Sequence, residues 1–132
     1  MVDQESAEQP ILLVEDNLLN QMVAQGMLRL LGFTSDLVEN GVEAVDALRN
    51  TAYQTVLMDV QMPEMDGLEA TRRIRQELPP AHQPYIIALT ANAMSGDQQR
   101  CLDAGMDDYL SKPLAKEALA AALQRSGRQA AH

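Results

Sequence analysis

Five short apolar runs punctuate the chain, at residues 11–14, 33–38, 55–58, 85–89 and around 109–110. The first, third and fourth are nearly continuous in Ile, Leu, Val and Met. Such runs predict strands buried on both faces, as in a parallel sheet. The intervening segments repeat apolar residues at helical spacing. Leu19, Val23, Met27, Leu30 and Leu31 form one stripe, with Gly32 as its stop signal. Val42, Val45 and Leu48 form a second, and Leu68, Thr71, Ile74 and Leu78 a third ahead of Pro79 and Pro80. A fourth helix is expected over 94–104, ending at Gly105, and an alanine-rich fifth over 114–123. Strands alternating with helices mean βαβ units with right-handed crossovers, hence a five-stranded α/β domain with helices on both sheet faces. The polar residues 1–9 read as a flexible N-terminal segment, 10–126 as the domain, and 127–132 as a flexible tail.

Composition narrows the classes of function. The chain has 132 residues, 10 Lys plus Arg against 19 Asp plus Glu, and a net charge of −9. That length suits one domain. The acidic balance argues against direct binding of nucleic acid, and no apolar run is long enough to insert in a membrane. A single cysteine excludes a disulfide framework and fits a reducing, cytoplasmic setting. Charge is lopsided: residues 1–70 hold 13 acids and 2 bases, whereas 71–132 hold 6 acids and 8 bases.

The residues that follow the apolar runs carry the chemistry. Glu15 and Asp16 follow the first run, Asp59 the third, Thr90 the fourth, and Lys112 with Pro113 the fifth. In an open parallel sheet the carboxyl ends of the strands share one edge, where ligands bind. Three carboxylates, a hydroxyl and an ammonium are thus brought together. Clustered carboxylates either raise their pKa values or hold a cation. Hard oxygen donors in a wet site favour Mg²⁺, with Mn²⁺ as a substitute. An opposing lysine and hydroxyl leave room for a tetrahedral phosphoryl group, and Asp59 could be its nucleophile. The competing reading is a surface carboxylate cluster with a structural salt bridge to Lys112.

The segments LLVEDN, VLMDVQMPEMDGLEATRRIR, LTAN and AGMDDYLSKP resemble the receiver domain of two-component response regulators, and most of all receivers attached to hybrid sensor histidine kinases. The resemblance covers residues 11 to about 125. It implies a flavodoxin-like (βα)₅ fold with strand order 2-1-3-4-5. It implies that Asp59 accepts a phosphoryl group from a partner's phosphohistidine. Asp16 would bind the metal directly, Glu15 through water, and Gln61 through its backbone carbonyl. Lys112 would pair with the phosphoryl oxygens, aimed by a cis bond to Pro113. Thr90 and Tyr109 match the switch pair: the hydroxyl moves to the phosphoryl oxygen, and the ring turns into the space it leaves. Gln61 and Asn92 flank the site where water access would be tuned.

The isolated domain is expected to be no enzyme beyond assisting its own phosphorylation and dephosphorylation. Its expected partners are a histidine kinase, a histidine phosphotransfer domain, or both, with the chain itself a monomer or weak dimer. Placement on the cytoplasmic side of a membrane follows if the parent is a hybrid kinase. A freestanding single-domain regulator is the alternative, and an aspartate-nucleophile phosphatase a remoter one. The phosphatase wants an acid two residues after its nucleophile, where this chain has Gln61. A flavodoxin would meet repulsion between FMN phosphate and Glu15-Asp16.

Other residues read more plainly. Pro63 presets a turn and Asp66 caps the helix carrying Leu68 to Leu78; these residues and Gly67 read as structural more than chemical. Met62 and Met65 fill gaps, Cys101 is a small buried side chain, and His82 and His132 lack partners at ligand spacing. Arg72, Arg73 and Arg75 read as a solvated helix face. With Leu19, Val23 and Leu31 expected in the core, Leu18 and Met22 fall on an exposed flank that a histidine-bearing helical bundle could cover.

Overall fold

A computed structural model describes residues 10–60, 66–91, 96 and 98–127. Five strands, β1 (Ile11–Val14), β2 (Ser35–Val38), β3 (Thr55–Asp59), β4 (Tyr85–Thr90) and β5 (Asp108–Ser111), form one parallel sheet in the order β2-β1-β3-β4-β5. The helices are α1 (Leu18–Leu30), α2 (Gly41–Asn50), α3 (Gly67–Glu77), α4 (Gln98–Ala104) and α5 (Lys116–Arg125). A short 3₁₀ turn, Pro80–His82, precedes β4 and leaves His82 exposed. This is the doubly wound α/β architecture expected from the alternation of runs. The predicted start of the fourth helix lies outside the described residues.

Strand alternation divides the apolar residues between two cores. Leu12, Val14, Val56, Met58, Ile86 and Ala88 face α2, α3 and α4, and Cys101 of α4 is fully buried among them. Ile11, Leu13, Leu57, Ile87, Leu89 and Leu110 face α1 and α5. The central strands β1 and β3 are covered on both sides, which is why their sequences show no polar alternation.

Local chemistry fixes where the helices begin and end. Asn17, Asn40 and Asp66 cap α1, α2 and α3, accepting from the amides of Asn20, Glu43 and Glu69 at 3.0, 2.9 and 2.9 Å. Gly32 and Gly105, with φ of 91° and 110°, take the left-handed turn that closes the chain after α1 and α4.

Three expectations need correction. Val42, placed by spacing on the apolar stripe with Val45 and Leu48, is 43% exposed, because α2 turns Gly41, Ala44, Val45 and Leu48 to the sheet and a residue one position past Gly41 falls off that face. The inward face of α1 is Gln21, Ala24 and Leu28, with Leu31 just past its end, whereas Leu19, Val23 and Leu30 point to solvent. The inner sheet face is already bulky, so a small Ala24 lets the helix sit close, and the longer side chains are left outside. Arg75 is likewise no solvated residue. Its guanidinium donates to the carbonyls of Gly105 (2.8 Å) and Pro84 (2.9 Å), to Gln83 Oε1 (2.7 Å) and to Asp107 Oδ2 (2.7 Å). It thereby fastens α3 to the approaches of β4 and β5.

Candidate functional site at the carboxyl edge of the sheet

The parallel register brings the residues after β1, β3, β4 and β5 to one edge. β3 runs alongside β4 with Asp59 opposite Leu89, and β4 alongside β5 with Thr90 opposite Ser111. Asp59 and Thr90 are both 3% exposed and Glu15 is 1% exposed, while Asp16 stands in solvent. The carboxylates of Glu15, Asp16 and Asp59 offer oxygen atoms that all lie within 4.8 Å of one another.

Lys112 completes this set from the far side of β4. Its amide donates to the Thr90 carbonyl at 2.9 Å, which carries the side chain over the end of that strand. Nζ then lies 3.0 Å from Asp59 Oδ1 and 3.5 Å from Glu15 Oε1. The Lys112–Pro113 peptide bond is cis.

Burial raises the Glu15 carboxyl above the usual carboxylate range, and the hydrogen bond and negative charge of Asp59 push it further up. The Asn17 amide, which donates to Glu15 Oε2 at 3.1 Å, and the Lys112 ammonium act in the opposite sense. Carboxylates packed this tightly repel, and one lysine does not neutralise three of them. The donor set is all oxygen with one member open to water, and that suits a hard divalent cation.

The structure thus gathers Glu15, Asp16, Asp59, Thr90 and Lys112. Tyr109, two residues before Ser111 on β5, is half-buried against the core that holds Ala88 and Met106. Gln61, Met62, Pro63, Met65, Asn92 and His132 lie outside the described residues. Beside the carboxylates, Leu19, Val23, Ala24, Leu89, Pro113 and Leu114 line a cavity of about 220 Å³, together with Glu15, Asn20 and Lys112. Outward from it, Leu18 is 69% and Met22 62% exposed.

Two residues around the site escape sequence reasoning. Gln21 is buried on α1 and bonds the Glu15 carbonyl. A polar residue at i−3 and i−7 from Ala24 and Leu28 was the available signal, hidden because α1 is apolar on more than one side. Gly67 opens α3 directly under Asp59: a Cβ there would overlap the Asp59 carbonyl oxygen and stand 3.0 Å from Met58 Cγ. The sequence shows only a glycine after a capping aspartate.

Comparison with known proteins places these features in a family. The response regulator receiver domain model matches residues 11–124. The chain is 46% identical over 114 residues to hybrid signal transduction histidine kinase B of Dictyostelium discoideum; the match takes in 79% of this chain but 6% of that kinase. Among solved structures, it resembles the receiver domain of a sensor histidine kinase from Pseudomonas aeruginosa PAO1, crystallised with a magnesium ion coordinated in its active-site cleft. That match has 48% identity and a TM-score of 0.83, covering 92% of this chain and 99% of the other. It also resembles a chain in the co-crystal structure of the Saccharomyces cerevisiae histidine phosphotransfer protein Ypd1 with the receiver domain of its downstream response regulator Ssk1. There the identity is 32% and the TM-score 0.76, over 86% of this chain and 84% of the other.

Proposed function

Since this chain belongs to the response regulator receiver domain family, we propose that Asp59 is its phosphoacceptor and that a partner's phosphohistidine is the donor. The observation that carries this reading is the buried Asp59 carboxylate, held between a cation 3.0 Å away and two further carboxylates. An oxygen of Asp59 attacks phosphorus and forms the O–P bond. The P–N bond breaks, and its electron pair returns to the ring nitrogen of the partner. Lys112, already over the end of β4, turns from Asp59 Oδ1 to the non-bridging phosphoryl oxygens. Thr90 donates its hydroxyl to another of these oxygens, and Tyr109 repacks toward the space that the hydroxyl leaves.

Glu15, Asp16, Asp59 and the backbone carbonyl of Gln61 are the residues to hold Mg²⁺, or Mn²⁺ in its place. When bound, the metal offsets charge between carboxylates and phosphoryl oxygens. The exposed flank of α1, with Leu18 and Met22, is the docking surface for the histidine-bearing helical bundle of a kinase or phosphotransfer domain. The chain spans 6% and 16% of two histidine kinases that it matches, which supports a role as the receiver portion of a hybrid kinase; in such a kinase it would lie on the cytoplasmic side of the membrane. Among the described residues no helix is long and apolar enough to cross one.

Intact-mass spectrometry tests the reading. With acetyl phosphate and Mg²⁺ the chain gains one phosphoryl group, and the gain is absent in Asp59→Asn or with EDTA. A native chain that gains no mass under these conditions refutes it.

A further inference from the structure

We propose that Gln21 is a positioning residue for the metal-binding carboxylates, a role that rests on the receiver reading above. The inner face of α1 otherwise meets the sheet with Ala24 and Leu28. Gln21 lies on that face, 6% exposed, and its Nε2 donates to the main-chain carbonyl of Glu15 at 2.8 Å. A buried side-chain amide is tolerated when it is bonded, and here one of its N–H donors is spent on the peptide unit that joins Glu15 to Asp16.

The Glu15 carbonyl and the Asp16 amide belong to the same planar unit. Holding the carbonyl therefore fixes the plane from which Asp16 leaves the chain. Three further bonds hold the same turn. The Glu15 amide donates to the Val38 carbonyl of β2 at 3.1 Å, the Asn17 amide donates to Glu15 Oε2 at 3.1 Å, and the Gln21 amide donates to the Asn17 carbonyl at 2.9 Å. Of the four, only the Gln21 side-chain bond grips the 15–16 peptide itself. Without it, Asp16, already exposed, can rotate with that peptide while strand and helix stay in place. Groups that orient ligands in this way typically govern metal affinity by 10- to 100-fold.

The test uses the whole chain and two readouts. Gln21→Met keeps length and apolar packing but donates no hydrogen bond, and Gln21→Asn keeps the amide but falls short of the carbonyl. Leu28→Ala, on the same face and away from the turn, is the control for general loosening. Mg²⁺ affinity by calorimetry is expected to weaken about tenfold in both Gln21 variants and to stay unchanged in Leu28→Ala. In metal-free protein, amide exchange at Asp16 and Asn17 is expected to quicken in the Gln21 variants beyond its change in the control. Should Gln21→Met fail to fold, Gln21→Asn decides the matter. Wild-type Mg²⁺ affinity and unchanged exchange in a folded Gln21 variant overturn the role of Gln21 alone. A native chain that binds no Mg²⁺ and takes up no phosphoryl group overturns the receiver reading and this inference with it.

Discussion

Lys112 reaches Asp59 across the end of a strand that belongs to neither, its Nζ 3.0 Å from Oδ1. On the proposed reading, the ammonium occupies ground that a metal and a phosphoryl group would share. Replacing it should therefore act on the two in opposite directions. Lys112→Ala is expected to slow uptake of phosphoryl from acetyl phosphate by about 10²-fold, the scale seen when one electrostatic donor to a transition state is lost. Mg²⁺ affinity should rise severalfold at the same time, because a competing cation has gone. Loss of both together would mean that Lys112 serves only to hold the site in shape.

The outward face of α1 offers a test of partner docking. Leu18→Glu with Met22→Glu removes apolar area that is 69% and 62% exposed and contributes little to folding. Phosphotransfer from a phosphohistidine protein should fall at least about tenfold, as for a contact at the centre of an interface. Labelling by acetyl phosphate should be unchanged. Equal loss with both donors would sink the docking surface.

Gly67 should tolerate no side chain. In Gly67→Ala the new methyl meets the Asp59 carbonyl oxygen and the Met58 side chain, so either α3 retreats or the end of β3 is displaced. Overpacking of this kind costs roughly 1–3 kcal/mol. Chemical denaturation should show that loss, and the rate of Asp59 phosphorylation should fall with it. A variant as stable and as fast as wild type would show that the contact relaxes freely.

Arg75 should behave as a fastener. Its four bonds include two to backbone carbonyls, and truncation leaves those acceptors without their cationic donor. Arg75→Ala should lower unfolding free energy by roughly 2–3 kcal/mol. Arg75→Lys should recover only part, because an ammonium cannot match the spread of a guanidinium. Urea titration of the two variants beside Arg72→Ala, which should lie within about 0.5 kcal/mol of wild type, would decide it.

Alkaline pH should weaken the fold through Tyr53. Its hydroxyl donates to Asp36 Oδ2 at 2.6 Å, and burial, followed by that hydrogen bond and charge, pushes its pKa from 10 up to about 12. Above pH 10 the unfolded chain gives up the phenolic proton while the folded chain keeps it. Stability is thus full below pH 10 and declines between 10 and 12, by on the order of 1 kcal/mol at pH 11. Tyr53→Phe should flatten that part of the pH profile. An identical alkaline slope in the variant would exclude this cause. Tyr85, also raised by burial and by Asp108, adds a slope of its own that the substitution leaves in place.

The legible parts of this protein were those where one physical rule acts on contiguous residues. Strands buried on both faces must be apolar throughout, and a parallel sheet must deliver its strand ends to one edge. Asp59 and Lys112 could therefore be placed together although 53 residues separate them in the chain. The face of α1 was not legible, because large apolar residues surround that helix and periodicity gives no single phase. Arg75 was hidden for another reason. Its acceptors lie 8 to 32 residues away and two are main-chain carbonyls, which every residue type supplies.

Helix α1 turns Gln21, Ala24 and Leu28 inward and leaves Leu18, Leu19, Met22 and Leu30 outward. Few of the outward side chains hold the helix to the sheet, so the residues that keep the domain intact and those of the proposed docking surface are largely separate sets. That exposed face can thus be rewritten, one leucine or methionine at a time, without disturbing the foundation beneath it. On the proposed reading, a new partner asks this domain to change only its surface, whereas a new chemistry asks it to change its buried strand ends.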